Sequence, residues 1–348
     1  MSQLQTDNQR NKAKALAFWK ALDKAESAAI PQVCTDHLDA RFVWKGPAPL
    51  GRCDEPEGIA KVFWAPLKKA IPDLKRETHL FFGGASSGNA DGSKDGRMWV
   101  CGTGYLSGTP SGSFLGIPAV GRPVRIRWGE FLRFDGENIV EVQTIIDFVD
   151  WFEQIGLPVL PPPRGAAHVY PAPTDYDGVL EAEQDEAETR ETLEFGRDFI
   201  YGGLNNFDQT DLAKMGMARF FHPNLKWYGP GGIGACMSFS EFENLHQRPW
   251  LTAFPDRKVQ DLESLFAEGR LLAASGVVSV RATHTGPYLD QPATQKSIEF
   301  SGIDFWLRSG NKLTENWVFV DMIDLFAQFG VDLFARMHAQ ASTRGFQV

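Results

Sequence analysis

Two stretches of the chain place apolar residues three and four positions apart, the spacing of an amphipathic helix. They cover residues 12–29 and 186–204, and Leu16, Trp19 and Leu22 show the spacing in the first. Each helix precedes strand-like apolar runs, at residues 99–106, 124–134 and 139–148, and at residues 271–283, 298–307 and 313–322. The last two runs of each half are joined by hairpin signals, Asp135-Gly136 and Ser309-Gly310. Helices followed by consecutive antiparallel strands predict an α+β fold rather than a βαβ nucleotide-binding fold.

The two halves of the chain repeat one another. In a block that begins at Trp44, eight residues recur without a gap 183 positions later, beginning at Trp227. A second block begins at Thr109 and recurs 174 positions later. The first copy has a longer hairpin at residues 83–96, rich in Gly, Ser and Asp, which accounts for the difference and is expected to be an exposed turn. The chain is therefore two copies of one module.

A proline-rich segment separates the copies. Proline recurs through residues 158–173, and because it has no N–H to donate, this segment cannot sustain a helix or a strand ladder. It is expected to be a semi-rigid spacer. We therefore predict a first domain at residues 1–157, a linker at 158–178 and a second domain at 179–348.

Composition and charge limit the kinds of binding partner and the cellular location that we expect. The 348 residues carry a net charge of -9 at pH 7 without a cluster of Lys and Arg, which argues against nucleic acid. Residues 1–14 lack the apolar stretch of a secretory signal, and no run of membrane-spanning length is free of charges, so a cytoplasmic location without a membrane is expected. The four cysteines form no CxxC pair, so neither a disulfide framework nor a zinc ribbon is predicted. The 26 Phe and 10 Trp predict aromatic-lined interiors.

Short motifs of both copies carry a family resemblance. The first copy has Phe-Leu-Gly-Ile-Pro at residues 114–118 and Gly-Arg-Pro-Val at 121–124. The second has Thr-His-Thr-Gly at 283–286 and Gly-Ile-Asp-Phe at 302–305. In their order they resemble the SnoaL-like polyketide cyclase family of the nuclear transport factor two-like superfamily. The resemblance implies two cone-shaped α+β barrels, each with N-terminal helices packed on a curved, mainly antiparallel sheet. It also implies a pseudo-dimer within one chain whose sheets pack together, while a homodimer of whole chains stays open.

The superfamily contains several kinds of activity, so the resemblance leaves alternatives open. No GxSxG, P-loop or Rossmann fingerprint occurs, and no cofactor is predicted. The leading hypothesis is a cofactor-independent lyase or isomerase, including a cyclase, that acts on a small hydrophobic carbonyl compound. One alternative is a hydrolase of an epoxide or ester that uses an Arg-Asp arrangement with Arg127 or Arg281. The other is a non-catalytic small-molecule-binding protein.

Ionisable side chains favour the second copy as the catalytic one. Its candidate catalytic residues are Asp304, Asp321, His284 and His246, where the first copy has Glu130, Asp147, Pro110 and Phe63. A carboxyl group inside an apolar cone has a raised pKa, so it can take and return a proton near neutral pH. No pair of His at helical spacing with a carboxylate forms a metal-ligand signature, and no metal is predicted.

The sequence alone leaves open where two groups of side chains lie relative to the cavity. Asp321 and Asp147 end the last strand of their copies, where each either faces a cavity or caps the segment that follows. Asp304 and Trp306 share one face of their strand, which is either cavity or solvent. The aromatic residues expected to bind substrate are Trp227, Tyr228, Tyr288, Trp306 and Trp317, and Trp44 is the first-domain equivalent of Trp227.

Overall fold

The structure is a computed structural model that describes residues 2–206 and 211–346. Two short helices of the first half are joined by a π-helical turn at Ala60–Trp64. The elements of this half are α1 (Gln3–Lys24), α2 (Ile30–His37), β1 (Leu38–Lys45), β2 (Arg52–Cys53), α3 (Pro56–Ile59), α4 (Ala65–Ala70), β3 (Lys75–Ala85), β4 (Met98–Gly108), β5 (Val124–Asp135), β6 (Asn138–Ile146) and α5 (Phe148–Gln154).

The second half repeats this order. It contains π-helical turns at Asp198–Leu204 and Phe242–Gln247. The elements are α6 (Glu186–Arg197), β7 (Phe221–Tyr228), β8 (Ala235–Cys236), α7 (Phe239–Glu241), α8 (Arg248–Ala253), β9 (Lys258–Val259), β10 (Ser264–Glu268), β11 (Leu271–Thr283), β12 (Ser297–Ser309), β13 (Lys312–Val320), α9 (Met322–Phe329) and α10 (Leu333–Thr343). Across the described residues, no helix has both the length and the apolar character needed to cross a membrane.

Each half forms one open sheet with helices on one face. The strand order is β2-β1-β6-β5-β4-β3 in the first sheet and β10-β11-β12-β13-β7-β8 in the second, where β9 also pairs with β11. The pairs β1–β6 and β7–β13 are parallel and the others antiparallel. Apolar side chains of helices and sheet form the core between them. The predicted α+β fold of two cone-shaped copies is confirmed.

The predicted strand runs differ from the observed strands by one or two residues at most ends, whereas the first helix begins well before residue 12. Helix α1 starts at Gln3 because Ser2 and Gln5 form a capping box, in which each side chain bonds the other residue's backbone. The first turn of α1 is therefore helical although it lacks the apolar spacing from which a helix is predicted.

The other faces of the two sheets pack against each other. Phe131 of β5 lies 5.4 Å from Phe305 of β12 between ring centroids, and Phe82 of β3 lies 5.7 Å from Phe266 of β10. These rings belong to one buried apolar cluster that draws residues from both sheets. The predicted sheet-to-sheet contact is therefore confirmed, and the two copies form a pseudo-dimer within one chain.

The proline-rich linker is bound to both copies. Tyr170 is 2% exposed, and its hydroxyl lies 2.8 Å from the Thr103 hydroxyl of β4. Its ring also contacts Phe319 of β13, with centroids 5.5 Å apart. Ala166 pairs with Ala235 of β8 in an isolated antiparallel bridge. The linker thus contributes an aromatic side chain to the interface in addition to spacing the copies.

The long hairpin of the first copy also docks on the second. Ser87 donates a backbone hydrogen bond to Leu265, and Gly88 accepts one from Leu262, at 2.7 and 2.9 Å. Gly88 is buried, whereas residues 91–94 are exposed. The expectation of an exposed turn is therefore wrong for the part of the hairpin that meets the second sheet.

A buried ion pair crosses the interface, and we expect its disruption to be costly. Lys12 Nζ lies 2.6 Å from Glu268 Oε1, and their side chains are 2% and 6% exposed. Replacing Lys12 with Met leaves a buried carboxylate without its cation, so the free energy of unfolding should fall by about 3–5 kcal/mol in urea denaturation.

The exposed pair Arg281–Glu299, at 2.9 Å, provides the control. Because water screens it, Arg281→Met should cost less than about 1 kcal/mol. Equal losses in the two variants would contradict a structural role for the buried pair.

Candidate active site

A cavity of about 160 Å³ lies inside the second cone. An apolar cavity of about 150 Å³ accommodates a benzene molecule, so this volume suits one ring. Its walls come from the π-helical turns and α8 of the second half, from strands β7, β9, β11, β12 and β13, and from the loop between β7 and β8. The aromatic wall contains Phe199, Phe221, Phe242, Trp250 and Phe300, and the polar side chains include Asp304, His246, Gln247 and Asn316.

Alternation along β12 decides which way Asp304 faces. Gly302, Asp304 and Trp306 line the cavity, whereas Ile303 and Phe305 belong to the cluster between the two sheets. Successive side chains of a strand point to opposite faces. Of the two faces that the sequence left open, Asp304 and Trp306 therefore occupy the cavity face.

The cavity raises the pKa of Asp304. Burial among apolar side chains disfavours the charged carboxylate and raises the pKa to about 7, and a hydrogen bond with the Asn316 side chain acts in the opposite direction. Asn316 lies on the same face because it is the cross-strand partner of Trp306 on β13, two residues before Val318, the cross-strand partner of Asp304. Near neutral pH this carboxyl group is present in both its protonated and its ionised form.

His246 is a neutral side chain in the same cavity. Its ring stacks on Trp227 with centroids 4.1 Å apart and an interplanar angle of 19°. Burial, reinforced by the charge of Arg257, lowers the pKa of His246 to about 3. Its Nδ1 is buried without a hydrogen-bond partner among the described residues. A neutral imidazole can donate or accept one hydrogen bond here but carries no charge to a substrate.

The first cone is filled where the second is open. The guanidinium carbon of Arg76 lies 5.1 Å from the ring centroids of Trp19 and Trp64 and 4.4 Å from that of Trp128. Glu130, the equivalent of Asp304, accepts a hydrogen bond from Trp19 Nε1 at 2.8 Å. Burial raises the pKa of Glu130, and the charge of Arg76 opposes that rise. The carboxyl group of Glu130 is therefore enclosed by other side chains of the first copy.

Four substitutions between the copies account for this difference. The strand registers agree, because the pairs Arg76–Leu106 and Trp128–Ile146 recur as Val259–Val280 and Gly302–Val320. In each case the second copy has a smaller or more flexible side chain, and each replacement lines the cavity. The pairs are Trp19 and Ile200, Trp64 and Gln247, Arg76 and Val259, and Trp128 and Gly302.

A hydrogen-bonded chain in the first copy is interrupted in the second. Trp44 Nε1 donates to the Thr144 hydroxyl at 2.9 Å, and that hydroxyl donates to Glu130 at 3.0 Å. The second copy has Val318 in place of Thr144. Trp227, the equivalent of Trp44, lines the cavity, and no hydrogen bond from its indole N–H is found within the described ranges. An indole donor and a carboxyl group thus remain available to a ligand.

A model of the family described as SnoaL-like polyketide cyclase matches residues 16–155 and, a second time, residues 205–329. The chain belongs to this family. Similar solved structures include AclR, a putative hydroxylase from Streptomyces galilaeus, with 20% identity over 41% of this chain and 97% of that chain, at a TM-score of 0.34. IdmH, a putative polyketide cyclase from Streptomyces antibioticus, has 18% identity over 40% and 99%, at a TM-score of 0.33. A comparison with curated proteins finds no match.

Asp321 and Asp147 of this SnoaL-like chain lie outside the cavity, at the interface between the copies. Asp321 caps α9 by accepting from Asp324 N, and Asp147 caps α5 by accepting from Asp150 N, both at 3.0 Å. Burial raises the pKa of each to about 6. Of the two placements left open by the sequence, the structure has the helix cap in both copies.

His284 and Tyr288 also lie apart from Asp304. The His284 ring stacks on Phe329 with centroids 4.2 Å apart, and its Nδ1 lies 3.1 Å from the Thr294 hydroxyl. Tyr288 lines a small separate recess that it shares with His246. The cavity therefore brings together two of the four predicted catalytic residues, Asp304 and His246.

Tyr228 and Trp317 face the first domain. Tyr228 donates to Glu315 at 3.0 Å, and Trp317 Nε1 donates to the Pro171 carbonyl of the linker at 2.8 Å. Both belong to the cluster between the sheets. Since Trp227 and Tyr228 are neighbours on one strand, they necessarily face opposite sides.

Sequence reasoning missed Trp250, Gln247 and Asn316, which line the cavity of the SnoaL-like fold. Gln247 was detectable, because it replaces Trp64 within the ungapped block of the repeat. Asn316 follows two other polar residues of β13, Thr314 and Glu315, so alternation did not single it out. Trp250 has no comparable signal.

One group among the described residues has the geometry of a metal site. The ligand atoms of Asp150, Glu153 and His168 lie within 4.8 Å of one another. Arg127 Nη2, however, lies 3.1 Å from Asp150 Oδ1, and His168 Nδ1 lies 2.8 Å from the same carboxyl oxygen. The guanidinium already supplies the positive charge at this carboxylate, and the group lies outside the cavity.

Proposed function

We propose that the second cone is the active site of a cofactor-independent isomerase or cyclase that acts on a small, mostly apolar carbonyl compound. The observation that carries the proposal is Asp304, a carboxyl group inside an aromatic-lined cavity whose pKa is about 7. A group with this pKa accepts a proton and returns it at neutral pH, as general acid–base catalysis requires. The description of the family as polyketide cyclases fits the same chemistry.

In the proposed reaction, ionised Asp304 removes a proton from the carbon next to the substrate carbonyl. The indole N–H of Trp227 donates a hydrogen bond to the carbonyl oxygen and stabilises the negative charge that develops there. For isomerisation, protonated Asp304 returns the proton to a different carbon. For cyclisation, the enolate carbon forms a bond to a second carbonyl carbon of the substrate, and the proton passes to the new alkoxide oxygen.

The rest of the cavity selects the substrate. A volume of about 160 Å³ suits one ring with a short substituent. His246 is neutral because its pKa is about 3, so it orients a polar substituent by a hydrogen bond without attracting an anion. The aromatic wall binds the faces of a flat or ring-shaped molecule.

Hydrolysis that uses either of the two arginines named from the sequence has less support than proton transfer. Arg281 is exposed on β11 and pairs with Glu299, and Arg127 is buried at the interface where it donates to the Gly229 carbonyl. Neither arginine lines the cavity that contains Asp304. A non-catalytic binding protein would use the same cavity, so the experiment must separate binding from turnover.

We expect the protein to catalyse hydrogen exchange at carbons next to the carbonyl of ring-sized ketones. Cyclohexanone and related ketones are incubated with the protein in D2O, and NMR follows the loss of the α-hydrogen signals relative to buffer. Parallel reactions with epoxides and esters in oxygen-18 water test hydrolysis, which would place the label in the product. If a ketone binds but exchanges no faster than in buffer, the cavity serves binding and not catalysis.

A further inference from the structure

The loop between β7 and β8 forms part of the cavity wall, and the first domain holds it. Pro230 and Ile233 of this loop line the cavity. Its backbone is bound at three points by side chains of the other copy. Gly231 N donates to Asp147 Oδ2 at 2.9 Å, the Gly229 carbonyl accepts from Arg127 Nη1 at 2.8 Å, and Gly232 N donates to Glu153 Oε1 at 3.2 Å.

These side chains are themselves fixed. Arg127 and Asp147 are each 2% exposed, and the guanidinium lies 3.4 Å from Asp147 and 3.1 Å from Asp150. Asp147 Oδ1 caps α5, so its position is tied to that helix. The loop is also packed closely on the helix, since a Cβ at Gly231 would lie 2.3 Å from Asp150 N. The wall of the cavity therefore rests on a rigid part of the first domain.

The opposite contact exists, but it borders a cleft between the two copies and not a cavity inside the first cone. Ala48 N, at the position equivalent to Gly231, donates to Asp321 Oδ2 at 2.7 Å. Ser301 takes the place of Arg127, so the arginine bond to the loop carbonyl has no counterpart. The cone behind Ala48 is filled by Trp19, Trp64 and Trp128 around Arg76. One of the three backbone contacts, that of Gly231 with Asp147, thus recurs in the opposite direction, where it does not hold the wall of an open cone.

We infer that the first domain acts as a positioning partner of the active cone, with Arg127 and Asp147 as positioning residues for the loop that carries Pro230 and Ile233. The inference rests on the proposed function for its catalytic consequence, but not for its effect on ligand binding. A wall displaced by about 1 Å is enough to change binding and turnover, because the ligand contacts depend on close packing. The residues lie outside the cavity and act through the loop.

The pair Asp147→Asn and Asp321→Asn provides a matched test. Each Asn retains an oxygen that can cap its helix but turns an N–H2 group toward the backbone N–H of the other domain. Isothermal titration with phenol and with cyclohexanone measures the Kd, and the exchange assay measures KM and kcat. We expect Asp147→Asn to raise Kd and KM about tenfold with kcat changed less than threefold. Asp321→Asn should leave all three within twofold, although its melting temperature falls.

Gly231→Ala is the second variant, and it alters no ionisable group. Its methyl group collides with the α5 backbone and displaces the loop, so the Kd should again rise about tenfold. Equal weakening by Asp147→Asn and Asp321→Asn, or wild-type binding by Gly231→Ala, would overturn the inference. A third outcome separates the two proposals. If the wild type binds the probes but has no exchange activity, and Asp147→Asn weakens that binding, the inference holds and the proposed function fails.

Discussion

Replacing Asp304 with Asn is expected to lower kcat for α-hydrogen exchange by between about 100-fold and 10,000-fold, the usual contribution of a general acid–base group. The Asn side chain has nearly the same shape and retains a contact with Asn316, but it cannot accept the proton. Its effect should therefore fall on kcat, with the Kd for cyclohexanone changed by less than about threefold. NMR exchange rates and titration calorimetry measure the two quantities.

The matched control is Glu130→Gln, at the same position of the filled cone. Glu130 bonds with Trp19 and Thr144 and faces no cavity ligand, so this variant should lose stability and keep its turnover within twofold. Retention of more than half of the wild-type kcat by Asp304→Asn would exclude Asp304 as the base.

The pH dependence gives an independent check of the same residue. The ionised form of Asp304 is the base, and because its pKa is about 7, the exchange rate should rise with pH through that value. Stability should change in the opposite direction. The folded pKa lies above the ordinary value of 3.8, so the wild type loses stability between about pH 4 and about pH 7, where the carboxyl group is ionised in the unfolded chain and still protonated in the folded one. Asp304→Asn avoids this loss, and its relative gain should be on the order of 2–4 kcal/mol.

Much of the architecture was predictable because the two halves of the sequence repeat one another. Part of the site was predictable because side chains alternate between the two faces of a strand. Strands β11 and β12 have long apolar runs, so their positions followed from pattern alone. The shared face of Asp304 and Trp306 also followed from the two-residue period. Which face encloses the cavity did not follow, because that depends on the opposing sheet. Strand β7 was not predicted either, because Pro223 interrupts its apolar pattern and it pairs in parallel with the last strand of its copy.

Recurrence in both copies was a weak guide to catalysis. Asp147 and Asp321 recur because each caps a helix and binds a backbone N–H across the pseudo-symmetric interface. A structural contact between two copies is repeated just as a catalytic group would be. The informative positions were instead those where the copies differ, such as Trp128 and Gly302. At such positions one copy fills its interior and the other does not.

One of these differences, Trp19 against Ile200, lies on the helix that precedes each sheet and is not visible in the sequence repeat. The buried positions Ala15, Phe18 and Trp19 of α1 correspond to Gly196, Phe199 and Ile200, a displacement of 181 residues that neither sequence block shows. Only Phe18 and Phe199 are identical among these pairs, so the packing of the helices on equivalent strands is what aligns them. The replacement of Trp19 by Ile200 therefore became visible in three dimensions.

Exchanging these two residues tests whether filling is what separates the copies. Ile200→Trp places the indole of the first copy into a cavity of about 160 Å³, and we expect the Kd for cyclohexanone to rise by at least about 100-fold, with exchange lost. Forcing the larger ring into the cone should cost about 1–3 kcal/mol if it strains its neighbours, and less if it only occupies the space. Denaturant unfolding separates this cost from the loss of binding.

Trp19→Ile is the reciprocal change. It removes a buried indole and the hydrogen bond to Glu130, so the free energy of unfolding should fall by about 3–5 kcal/mol while turnover by the second cone is retained. If Ile200→Trp binds cyclohexanone as tightly as the wild type, the ligand binds outside this cavity. If Trp19→Ile loses its turnover, activity depends on the stability of the whole chain. If both expectations hold, the residue at this helical position stabilises the chain in the filled cone and leaves room for a ligand in the open one. A chain with two copies can then keep one closed for stability and leave the other open.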